Sequence, residues 1–258
     1  MDKNIISALL LTVFAGLSTG LGSLLALFCK RTNTKFLSLS LGFSAGVMIY
    51  VSMIEIFSKA KDYLIISKGE TLGNWLCVIA FFAGIILIAM IDFFIPSTES
   101  DIGSTNNSKT LNRMGIMTAL AIAIHNFPEG MATFTSALKD PYLGTAIAVA
   151  IAIHNIPEGI ATSLPIYFST GKKKKAFIIS FLSGITEPIG AIVGYLILRP
   201  FFNDMVFGLL FSAVAGIMVF ISLEELIPMA HEYEKTKITI IGVIIGMVIM
   251  SVSLLLFL

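Results

Sequence analysis

Apolar stretches follow one another along this chain with almost nothing between them: about Asn4–Phe28, Phe36–Ser58, Gly73–Phe94, Met114–Ala137, Tyr142–Ile166, Lys175–Leu198, Met205–Ala230 and Ile238–Leu258. Each is long enough to cross a hydrocarbon layer of roughly 30 Å as a helix, which takes about 20 residues. A backbone in lipid must satisfy its own polar groups, which continuous apolar spans of this length do as helices. The chain is 13% charged over its 258 residues, against about 25% in soluble domains. The sequence therefore predicts an all-α membrane protein with eight transmembrane helices, a single polytopic domain over residues 1–258 embedded in the lipid bilayer. The first span reads as a retained helix, since its run to Phe28 is long for the core of a signal peptide. The Ser-, Thr- and Asn-rich segment Pro96–Arg113 reads as a flexible loop. Cys29 and Cys77 lack CxxC spacing and read as packing residues.

Eleven of the 17 Lys and Arg fall in the odd-numbered connections, which the positive-inside bias places in the cytoplasm, with both termini outside. The run Lys172–Lys175 serves as a topology anchor, not a nucleic-acid site. Ala45–Ala60 (AGVMIYVSMIEIFSKA) resembles Ala215–Ala230 (AGIMVFISLEELIPMA), and these spans run in opposite directions through the bilayer. Similar helices of opposite direction mark an inverted repeat, which in transporters brackets a site near the midplane. The expected organisation is 3+2+3: spans 1–3 and 6–8 are related, around a central hairpin of spans 4 and 5.

That hairpin carries a second repeat. AIAIHNFPEG at Ala121–Gly130 recurs as AIAIHNIPEG at Ala150–Gly159 and holds two of the three histidines. Residues four apart share a helix face, so His125 with Glu129, and His154 with Glu158, form candidate two-ligand units, with Asn126 and Asn155 about 100° around the helix. Pro128 and Pro157 each remove a backbone donor and release a carbonyl. The turn near Lys139–Asp140 is equally far along the chain from both histidines, so they should reach similar depth. Glu187, in TEPIG of span 6, is the additional intramembrane carboxylate. A carboxylate without a partner at the bilayer centre costs about 2.5 kcal/mol or more, and a divalent cation bound by neutral imidazoles and ionised carboxylates removes that cost. Mixed imidazole, carboxylate and amide donors suit Zn²⁺, Fe²⁺, Mn²⁺, Co²⁺ or Ni²⁺ better than Mg²⁺ or Ca²⁺. Two other functions also use buried His and Glu: an intramembrane metalloenzyme, though no HExxH occurs, and a proton-coupled carrier of an organic solute.

At HNFPEG, HNIPEG, SGITEPIGA and VFISLEELIP the chain resembles the ZIP (Zrt/Irt-like) metal-ion transporters, in particular their bacterial ZupT-type branch. The resemblance covers all eight spans. It implies a non-enzymatic divalent-metal uptake protein of the cell membrane, with zinc as main substrate and Fe²⁺, Mn²⁺, Co²⁺ and Cd²⁺ as others, all as cargo and none as a prosthetic group. It also implies a binuclear site of Asn126, Glu129, His154, Asn155, Glu158 and Glu187, completed by His125, with Glu129 and Glu158 bridging the ions. Glu224 and Glu225 match a position on the cytoplasmic release path. A homodimer is suggested by the same likeness and by Gly16-x-x-x-Gly20, a helix-packing motif. The chain departs from many relatives in one respect: Pro96–Arg113 carries no histidine.

Overall fold

The computed structural model describes residues 3–28, 33–94, 107–139, 141–198, 203–234 and 236–256, and all regular structure among them is helical. The helices are α1 (Lys3–Leu27), α2 (Thr34–Tyr50), α3 (Phe57–Lys68), α4 (Glu70–Phe94), α5 (Asn107–Lys139), α6 (Pro141–Thr170), α7 (Lys173–Val193), α8 (Asp204–Ile221), α9 (Ile227–Tyr233) and α10 (Thr236–Leu256). Seven helical segments of the described chain are long and apolar enough to cross a membrane. The helix missing from that set is α5. Its 33 residues would span roughly 50 Å at 1.5 Å per residue, so composition and not length sets it apart: HNFPEG and the polar residues at both ends dilute its apolar run. Cys29, Lys30 and Arg31, and most of Pro96–Arg113, lie outside the described residues.

Two boundaries differ from expectation. The fourth span begins as helix at Asn107, so Asn107–Arg113 of the expected loop is the first part of α5 rather than flexible chain. The second span continues as helix to Lys68, so the connection expected after Ser58 shrinks to Gly69. Gly69 ends the helix at φ 81°, and Gly171 does the same at φ 71° between α6 and α7. Both adopt the left-handed region that glycine enters without a Cβ penalty, and both return an N–H to the last turn, to Ile65 O and Tyr167 O at 2.8 Å.

The long second helix is interrupted by a π-helical turn at Val51–Ile56, and a matching turn at Ser222–Leu226 joins α8 to α9. Each contains a serine bonded back one turn: Ser52 Oγ donates to Met48 O at 2.6 Å and Ser222 Oγ to Met218 O at 2.8 Å. The two sequence segments that resemble each other therefore share the same irregularity, of a kind often found at functional positions.

Helix crossings come in corresponding sets, each made close by glycine. A Cβ on Gly46 of α2 would overlap Val243 O of α10, and one on Gly246 would overlap Phe43 O. In α8 and α4, Gly216 stands in the same way against Phe81 O and Gly84 against Ala213 O. Large apolar side chains cover the outer faces, as on α1 (Leu10, Phe14, Leu17, Leu21) and α4 (Ile79, Phe82, Ile86), all more than 40% exposed. The inner face of α1 carries buried Thr12, Thr19 and Ser23. That polarity, apolar outward and hydroxyl inward, suits lipid outside and a polar centre within. Gly16 and Gly20 both pack on α7, against Gly184 and Phe181; the Gly16-x-x-x-Gly20 motif is used inside the chain, which removes it as the sequence argument for a dimer.

Candidate metal centre

Helices α5 and α6 run unbroken through Pro128 and Pro157 and face each other as an antiparallel pair. The two motif copies meet there, but not as separate units. His125 Nε2 lies 2.9 Å from Glu158 Oε1, and His154 Nε2 lies 3.1 Å from Glu129 Oε1. Each imidazole thus faces the carboxylate of the other copy, whereas spacing along one helix suggested His125 with Glu129 and His154 with Glu158. Antiparallel helices at matched depth explain the exchange: the facing side chain across the interface is nearer than the one a turn along.

These contacts are short but poorly directed. Both ring nitrogens of His125 and of His154 lack a hydrogen-bond partner, as do Glu129 Oε2, both oxygens of Glu158, and Oδ1 of Asn126 and Asn155. All of these residues are at most 2% exposed except Glu129, whose side chain is 12% exposed. Glu187 is also fully buried. Its Oε2 accepts from Asn155 Nδ2 at 2.9 Å, and its Oε1 has no partner. Asn155 Nδ2 also reaches Ala15 O of α1 at 3.0 Å, while Asn126 Nδ2 donates to Ser183 O of α7 at 3.2 Å. The amides are therefore anchored by their nitrogens and present their oxygens.

Burying so many polar atoms without partners is costly, at about 1–3 kcal/mol for each group left unsatisfied. Nitrogen and oxygen lone pairs that lack a proton to accept are also what a divalent transition metal binds. Among the described residues, no three His, Cys, Asp or Glu side chains are already gathered as a ligand set. The imidazoles face the carboxylates instead, an arrangement that an incoming cation would have to open.

The backbone packing around the pair is equally close. A Cβ on Gly130 would overlap Glu187 O of α7, and one on Gly159 would overlap Thr19 O of α1. A cavity of about 660 Å³ leads from His125 and Glu129 along α2 and α3, past Tyr50, Glu55 and Lys59 to Asp62. Glu55 Oε1 pairs with Lys59 Nζ at 2.8 Å, and Glu55 Oε2 is buried without a partner. Reading Ser58 as the span end hid Lys59 and Asp62, which fall one and two turns beyond Glu55 on the same helix face. That spacing was the available signal. Glu224, exposed, and Glu225, half-buried, sit in the Ser222–Leu226 turn, which packs mainly on α2, α8 and α9. Cys77 is a free, buried thiol 3.5 Å from Ser212 Oγ, in keeping with a packing role.

The model of one family, described as ZIP zinc transporter, matches residues 95–254. The zinc transporter ZupT of Streptococcus mutans is 60% identical over 263 residues, covering 100% of both chains. That of Clostridium perfringens is 57% identical, covering 99% of this chain and 97% of its own, and that of Chlorobium chlorochromatii is 57% identical over the full length of both. These relatives are named as transporters and not as enzymes, which sets aside the metalloenzyme alternative. Matched over more than half its length by the family model, and end to end by such relatives, the chain belongs to the ZIP zinc-transporter family.

Proposed function

We propose that this protein carries divalent metal ions, zinc foremost, across the cell membrane into the cytoplasm through a binuclear site on the α5–α6 hairpin. The observation that carries the proposal is the reciprocal pairing of His125 with Glu158 and His154 with Glu129, surrounded by buried acceptors that have no donor. Asn126, Glu129, His154, Asn155, Glu158 and Glu187 would hold the ions, His125 would complete the set, and Glu129 and Glu158 would bridge them. The same donors suit Fe²⁺, Mn²⁺, Co²⁺ and Cd²⁺ as further cargo. The printed names of the relatives support zinc.

The corresponding crossings of α2 with α10 and α8 with α4 support eight spans in a 3+2+3 inverted repeat forming one domain, with α5 as the span that composition alone does not mark. Lys and Arg placement puts the far end of α3 and both termini outside the cell. The cavity then opens outward, Glu55 and Asp62 draw cations toward Glu129, and Glu224 and Glu225 lie on the cytoplasmic side for release. A homodimer, which the resemblance implies, would use faces other than the Gly16 and Gly20 stripe.

The test is zinc uptake into proteoliposomes, read with an internal fluorescent indicator. Wild type is expected to fill the vesicles, and Glu129→Ala and Glu158→Ala to fail while remaining monodisperse in detergent. Normal uptake by both variants, or none by wild type, would sink the proposal.

A further inference from the structure

The two helices that clasp the motif copies do so in one register. Ala15–Gly22 of α1 reads AGLSTGLG and Ser183–Gly190 of α7 reads SGITEPIG. Asn155 bonds Ala15 O as Asn126 bonds Ser183 O. Gly22 abuts Ile156 O as Gly190 abuts Phe127 O, and Thr19 O meets Gly159 as Glu187 O meets Gly130. Gly16 and Gly184 lie against each other where the two helices cross. Every one of these contacts sets Thr19 in the place that Glu187 holds in the other half.

Thr19 is fully buried, and its hydroxyl has no hydrogen-bond partner. Three other buried threonines return the hydroxyl to the carbonyl four residues back: Thr12 to Ala8 O at 3.0 Å, Thr133 to Glu129 O at 2.9 Å, and Thr162 to Glu158 O at 3.0 Å. Buried Thr239 pairs with Ser38 Oγ, and the Thr118 hydroxyl, like that of Thr19, has no partner but lies outside the motif-clasping register. For Thr19 the carbonyl four residues back is Ala15 O, which already accepts from Ser18 Oγ and Asn155 Nδ2. In the other half, Glu187 is long enough to reach Asn155. Threonine is shorter, and here both Thr19 Oγ1 and Asn126 Oδ1 are left as buried acceptors.

We propose that Thr19 is a further ligand of the transport site: its hydroxyl oxygen and the Asn126 amide oxygen receive the divalent ion in the half opposite Glu187, and its neutrality leaves that half the weaker one. The inference rests on the transport site proposed above. A neutral oxygen donor favours harder ions such as Mn²⁺ over softer Cd²⁺, so Thr19 also bears on selectivity.

The experiment compares Thr19→Val, Thr19→Ser and Thr19→Glu with wild type in the full-length protein in proteoliposomes, reading KM and maximal rate for Zn²⁺ uptake and its competition by Mn²⁺ and Cd²⁺. Valine keeps the shape and removes the oxygen. It is expected to raise the zinc KM about 10-fold, with little loss of maximal rate and a shift of competition from Mn²⁺ toward Cd²⁺. Serine is expected to recover both, and glutamate to lower KM and slow turnover. Wild-type KM and competition in Thr19→Val would overturn the proposal, as would a loss in Thr19→Ser equal to that in Thr19→Val, which would assign the effect to the methyl group. Glu158→Gln is run alongside. If it transports normally, the site itself is misassigned; if it is inactive while Thr19→Val is normal, only the role of Thr19 falls.

Discussion

The two motif copies differ at one residue, Phe127 against Ile156, yet they occupy different surroundings. The first opens to the cavity, with Glu129 12% exposed; the second is sealed, with Glu158 at 0% and His154 at 2%. The difference originates outside the repeats. Helix α7 places Glu187 beside Asn155 of the second copy, whereas α1 offers Thr19 and no carboxylate in the related place. Near-identical decapeptides therefore become an accessible half and a closed, more acidic half, which in the proposed site would meet the ion and retain it.

The largest effects should come from the closed half. Glu158→Gln removes the carboxylate that faces His125 in a fully buried setting and that is proposed to bridge the ions. Zinc uptake is expected to fall by about 100-fold or more in kcat/KM, the equivalent of roughly 3 kcal/mol. Glu129→Gln, partly reached by solvent, is expected to lose about 10-fold, mostly as a raised KM. Equal losses in the two variants would show that the copies are equivalent and that the difference in burial carries no functional weight.

The candidate site residues stood out in the sequence because a charged or imidazole group in the middle of an apolar span has few structural excuses. The partnership between them was not legible. Spacing along one helix places His125 with Glu129, and only the packing of α5 on α6 shows that His125 faces Glu158. The helical class followed from hydropathy alone, but the continuation from Ser58 to Lys68 and the start of α5 at Asn107 did not. Charged Lys59, Lys61 and Asp62 look like a loop to any hydropathy window, although a helix lining a wet cavity tolerates them. Thr19 was invisible for the opposite reason. A threonine in a membrane helix usually bonds its own backbone, and its correspondence with Glu187 emerges from contacts and not from residue type.

The close approaches beside the motif test whether the two halves share one framework. Gly130→Ala would push a methyl into Glu187 O, and Gly159→Ala would push one into Thr19 O. Overpacking of this kind costs about 1–3 kcal/mol, and the two variants should lower the detergent melting temperature by similar amounts. If Gly159→Ala is tolerated and Gly130→Ala is not, α1 does not clasp the second copy as α7 clasps the first, and the register that places Thr19 opposite Glu187 is lost.

The smallest expected effect lies at the cavity mouth. The alignment of Ala45–Ala60 with Ala215–Ala230 pairs Glu55 with Glu225 and Lys59 with Met229, so Lys59→Met makes the first segment resemble the second. Lys59 is 49% exposed and bonds Glu55 at i,i+4, a class of pair worth about 0–1 kcal/mol and further reduced by solvent screening. Its stability contribution is therefore slight. Its effect on transport has a definite sign: the ammonium occupies a Glu55 oxygen that an arriving cation would otherwise use, and it repels that cation. Lys59→Met should lower the zinc KM by a few-fold at most, leave the maximal rate unchanged, and lose its effect as ionic strength rises and the screening length falls below about 10 Å. Glu55→Gln should move KM the other way. A rise in KM for Lys59→Met would mean that the lysine holds Glu55 in position rather than competing for it, and the cavity would then need its ammonium where the related segment carries Met229.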